Sequence, residues 1–119
     1  MKALSKRLEL PANEYYKVHL NIVNSLLPIK LTPKEVEVLA LFMSLKGDIG
    51  KDRFGSTAKK LVKQELSLSD GGLSNYIKSL KQKGFITSTN EIPTLLIPNN
   101  DKQEYYLQIV NKQYETASN

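Results

Sequence analysis

Two basic and polar clusters hold most of the chemistry open to this chain. The first is Lys59, Lys60 and Lys63. The second is Ser69, Gly71, Gly72, Ser74, Asn75, Lys78, Ser79, Lys81 and Gln82. A lysine ammonium seats on phosphate as a point charge. Asn and Gln amides match the edge of adenine, Lys matches guanine, and a serine hydroxyl bonds to phosphate or base. Glycines at the start of a helix let another backbone approach closely. These residue types suit recognition of a polyanion with readable edges, and they suit no bond-breaking chemistry.

Other chemistries are excluded or unsupported. There is no cysteine, so disulfide frameworks, thiolate metal sites and cysteine nucleophiles are ruled out. His19 is the single histidine, so a triad or metal cluster built on several histidines is impossible. The chain has no P-loop, no dinucleotide glycine fingerprint and no nucleophile elbow. Asp48, Asp52 and Asp70 lack the spacing of a calcium loop. The expectation is a non-enzyme with no metal and no small-molecule cofactor.

At 119 residues and 13.4 kDa the chain is one domain with one core. It carries 17 Lys+Arg against 12 Asp+Glu, a formal charge of +5. Residues 51–90 hold eight basic and three acidic side chains, a surplus equal to that of the whole protein. An anion-binding surface is therefore sought there first. No apolar run approaches the ~20 residues of a membrane span. Met1–Arg7 lacks the apolar region of a secretion signal, and the expected compartment is the cytoplasm.

The elements that must position these residues follow from periodicity and caps. Residues 1–12 read as an arm. A first helix is predicted over 13–27, with Asn13 as cap, Pro28 as stop and apolar spacing at Tyr15, Val18, Ile22 and Leu26. A second begins at Thr32-Pro33, with Glu35 completing a capping box and Leu31 and Val36 at staple spacing. Its body, Val36 to Leu45, is apolar almost all round, which marks the central core helix. Residues 47–55 read as a polar loop. A third helix is predicted from Thr57 to Leu66, capped by Ser56 and burying Ala58, Leu61, Val62 and Leu66. After a tight turn, Ser69 caps a fourth, with Asp70 in its first turn and Leu73, Ile77 and Leu80 facing inward. Lys83-Gly84 ends it. Three β-prone runs follow: Phe85–Thr89, Thr94–Ile97 and Tyr105–Val110. Residues 111–119 read as a polar tail.

Three helices followed by such runs are the element order of a winged helix-turn-helix domain. Leu73-Ser74-Asn75-Tyr76-Ile77-Lys78-Ser79-Leu80-Lys81-Gln82-Lys83-Gly84-Phe85-Ile86 resembles the recognition helix and first wing strand of bacterial winged-helix regulators, and Lys83-Gly84-Phe85-Ile86 matches the close of that pattern. Glu14-Tyr15-Tyr16 and Leu31-Thr32-Pro33-Lys34-Glu35 are also similar to small winged-helix proteins of tailed bacteriophages. The resemblance spans roughly residues 31–110. It implies an α+β fold: a helical bundle with a small antiparallel β wing, here within a domain 13–110 that gains an extra N-terminal helix.

The expected function is binding of double-stranded DNA in a transcriptional or replication role. Ser69, Gly71, Gly72, Ser74, Asn75, Lys78, Ser79, Lys81 and Gln82 would form the reading helix, and Lys59, Lys60 and Lys63 would lie along phosphates. The reading face has no arginine, and the stretch 87–94 carries Glu91 and no basic residue. A second reading stays open: an interaction or structural adaptor, such as a phage assembly component, that binds no DNA. The helix 13–27 has apolar residues on more than one side, which suits a homodimer contact.

Overall fold

A computed structural model describes residues 9–28, 30–93 and 111. Five helices follow in chain order: α1 Ala12–Leu26, α2 Pro33–Met43, α3 Gly47–Lys51, α4 Ser56–Leu66 and α5 Asp70–Gln82. α2 is the hub, and α1, α4 and α5 all pack on it. No helix among the described residues is long and apolar enough to cross a membrane.

α2 starts as its sequence demands. Thr32 Oγ1 accepts from the Glu35 amide at 3.2 Å, and Glu35 Oε1 accepts from the Thr32 amide at 2.8 Å. The capping box thus satisfies two amides that the helix leaves open. Val36, Val38, Leu39, Ala40, Phe42 and Met43 are all buried. Phe42 meets Phe54 with ring centroids 4.7 Å apart, which ties the α3–α4 connection to the core. That connection is not all loop: residues 47–51 form the short helix α3.

The other end of α2 is closed from a distance. Nη1 of Arg53 donates to the carbonyls of Phe42, Met43 and Leu45 at 2.7, 2.9 and 3.5 Å. The Phe42 carbonyl also accepts from the Leu45 amide at 3.3 Å, and the guanidinium adds further donors and a favourable charge at the negative end of the helix.

Two helix boundaries shift from expectation. α1 begins at Ala12 behind Pro11, not behind Asn13, and α4 includes Ser56, with Gly55 at its cap position and no side-chain cap bond. The packing face of α1 also differs. Leu20 is fully buried and His19 is 8% exposed, with Tyr16, Val23 and Leu27 packed on the core. Val18 and Leu26, from the spacing read as its apolar stripe, are exposed. Leu61 of α4 is exposed as well, leaving Ala58, Val62 and the half-buried Leu66 to face inward.

The expectation of an α+β winged helix is overturned. The described residues are all-helical, with no strand and no wing. The run Phe85–Thr89 shows why. Gly84 takes the left-handed conformation at φ +85° and turns the chain back over α5. Phe85 and Ile86 then both enter the core, at 3% and 2% exposure. A strand would send successive side chains to opposite faces. Next, the Thr87 amide bonds to the Glu91 carbonyl at 2.8 Å, and the Glu91 amide bonds to Thr87 Oγ1 at 3.0 Å. The groups that would begin a ladder are spent in a five-residue turn. The other two expected strands, 94–97 and 105–110, lie outside the described residues, as do most of the expected arm and tail.

Candidate nucleic-acid interface

The basic and polar clusters lie on α4, on α5 and in the three residues between them. α4 ends at Ser67, whose backbone is left-handed (φ 53°, ψ 47°). The Lys63 carbonyl accepts from the amides of both Ser67 and Leu68, the latter at 2.9 Å. This closes the helix and reverses the chain within one residue. Ser69 then caps α5, its Oγ accepting from the Gly72 amide at 3.0 Å. Leu73, Ile77 and Leu80 face the core, as their spacing predicts, with Tyr76 packed on its edge. α4 and α5 are thus two helices joined by a three-residue turn, the second held by a buried stripe.

Several of the expected contact residues are committed inside the protein. Lys63 bridges the turn to the Asp70 carboxylate. That bond and the lysine charge hold the Asp70 carboxyl below its ordinary range. Ser69 is occupied as a cap, and a Cβ on Gly72 would stand 3.1 Å from the capping hydroxyl. Ser79 turns inward, donating its hydroxyl to Glu35 Oε2 at 2.5 Å.

The others remain available. Lys59, Lys60, Ser74, Asn75, Lys78, Lys81 and Gln82 are exposed, and none forms a side-chain hydrogen bond or ion pair among the described residues. Gly71 is exposed too, and a Cβ there would meet nothing within 4 Å. Gly71, Ser74, Asn75, Lys78 and Gln82 recur at helical spacing on the side of α5 away from its apolar stripe. Lys59 and Lys60 share the outer side of α4 with Lys63. A shallow, solvent-open depression lies beside the turn, lined by Lys60, Lys63, Gln64, Leu68, Ser69 and Asp70.

What the sequence did not disclose is the anchor beneath this unit. Glu35, read only as half of a capping box, is buried and reaches 48 residues along the chain to Lys83, with Oε1 to Nζ at 2.6 Å. Lys83 Nζ also donates to the Lys30 carbonyl at 2.9 Å. Burial alone pushes the Glu35 carboxyl up. The bonds from Lys83, Ser79 and Thr32 outweigh it and hold the pKa at about 2. The start of the core helix is thereby fastened to the end of α5. The one local signal was Glu35 itself, whose cap role uses only one of its two oxygens.

No group of three or more His, Asp or Glu side chains among the described residues is placed to hold a metal ion. No family model, no curated protein and no solved structure matches this chain.

Proposed function

We propose that this chain binds double-stranded DNA through α4, the turn and α5, in a regulatory role in transcription or replication. α5 enters the major groove with its first half, and Asn75 and Lys78 address base edges, with Gln82 further along. α4 crosses the backbone and sets Lys59 and Lys60 on phosphates. One observation carries the reading: the outward side of this unit holds four lysines and three neutral polar side chains with no partner among the described residues. A cation left unpaired across such a face suits an external anion.

The test is a titration of duplex DNA at several salt concentrations. Four free lysines, Lys59, Lys60, Lys78 and Lys81, give an expected slope of log K against log salt of about −3.6, since each phosphate neutralised contributes about −0.9. Lys60→Ala flattens that slope by about one unit on every duplex. Asn75→Ala leaves random duplex binding intact and loses about 1–3 kcal/mol on a site selected from a random pool. A slope near zero, or no binding at low salt, rejects the reading. The adaptor reading is favoured instead by the exposed apolar side of α1.

A further inference from the structure

Four large apolar side chains are exposed among the described residues, and three belong to α1 or its approach: Leu10, Val18 and Leu26, the last at 75%. Val18, Ile22 and Leu26 are four residues apart and form one ridge along the helix. Ile22 is half-buried and lies outside the core cluster. From residue 18 to 29 there is no Lys, Arg, Asp or Glu. In a chain of charge +5 this is a neutral apolar strip.

Both ends carry charge: Glu14, which also meets Lys17 Nζ at 3.4 Å, at one and Lys30 at the other. Glu14 continues the ridge toward the N-terminus, four residues before Val18. Lys30 folds back on the other end, its Nζ donating to the carbonyls of Asn24 and Ser25 at 2.9 and 3.1 Å. Val18 and Leu26 stand equally far from Ile22 along α1, with Glu14 beyond the first and the folded-back Lys30 near the second. A two-fold contact requires such a patch, complementary to its own rotated copy.

We infer that α1 joins two copies of this chain, the helices antiparallel about a two-fold axis at Ile22. Val18 then faces the partner's Leu26, Ile22 faces the partner's Ile22, and Glu14 faces the partner's Lys30. The opposed helix dipoles act in the same sense. A nucleic acid is a poor occupant, because the strip offers it no cation. A helix of 15 residues is about 22 Å long. One ridge of that length covers less than the roughly 800 Å² per partner of a standard interface, so the dimer is a weak one. This inference stands apart from the DNA reading and survives its failure.

Sedimentation of the full chain between about 10 µM and 1 mM, the range of such weak contacts, tests it. The mass is expected to rise with concentration from 13.4 kDa toward twice that value. Leu26→Asp, at a position too exposed to unfold the helix, should weaken association about tenfold or more. Circular dichroism checks that the helices persist. Glu14→Lys should weaken association, and adding Lys30→Glu should restore it. A wild type that stays monomeric throughout, or a Leu26→Asp protein that associates as tightly as wild type, overturns the inference. So does a double charge reversal that associates no better than Glu14→Lys alone.

Discussion

The Glu35 side chain is 3% exposed, and Lys83, 24% exposed, is its charged partner. Its folded pKa of about 2 lies below the ordinary 4.5, so the unfolded chain binds the proton more tightly. The resulting stability is fully present above about pH 4.5 and is lost as pH falls toward 2. The difference corresponds to roughly 3 kcal/mol. Urea unfolding of the wild type should therefore show a falling midpoint between about pH 5 and 2. Glu35→Gln should begin roughly 3–5 kcal/mol less stable at pH 7, because it strands the Lys83 ammonium. It should also lose stability less steeply with acid, keeping only the slope from groups such as Asp70. Equal acid slopes in the two proteins would remove Glu35 as the source. The sequence made the cap legible, since Thr32-Pro33-Lys34-Glu35 is a local pattern. It left the long-range pair hidden, because nothing in the spacing of residues 35, 79 and 83 says that they meet.

Elements were legible where a cap agreed with an unambiguous apolar pattern, one stripe in α5 and a nearly all-round apolar surface in α2. α2 and α5 have both, and their starts and inner faces came out as read. α1 has two overlapping stripes, one through Val18, Ile22 and Leu26 and one through Tyr16, Leu20, Val23 and Leu27. Only the tertiary partner decides which turns inward, and α2 takes the second. The Phe85–Thr89 run failed for a different reason. Two adjacent large apolar residues read as the start of a strand, yet as a plug behind a left-handed glycine both can be buried. Arg53 was counted merely as part of a basic stretch, whereas it terminates α2. Arg53→Ala should lower stability by about 1–3 kcal/mol in chemical denaturation, the worth of charge-assisted bonds to carbonyls at a helix end. A change of only a few tenths would mean that water serves those carbonyls equally well.

At the scale of the molecule, the bonds that shape the unit of α4, turn and α5 are local. The Ser67 turn, the Ser69 cap and the Lys63–Asp70 bridge each span seven residues or fewer. The fastening of Glu35 to Ser79 and Lys83 spans 44 and 48 residues. Closing a loop that long costs on the order of 3 kcal/mol in chain entropy. The charge also gives up its water, which is favourable only once the helices have already excluded solvent around it. The fastening therefore belongs after the rate-limiting step of folding. Stopped-flow kinetics should find Glu35→Gln refolding near the wild-type rate and unfolding roughly 150- to 5000-fold faster, the whole of the 3–5 kcal/mol loss. A slowed refolding arm with an unchanged unfolding arm would reverse that order. The Glu35–Lys83 pair then sets how long each folded molecule lasts and has little say in how fast it forms.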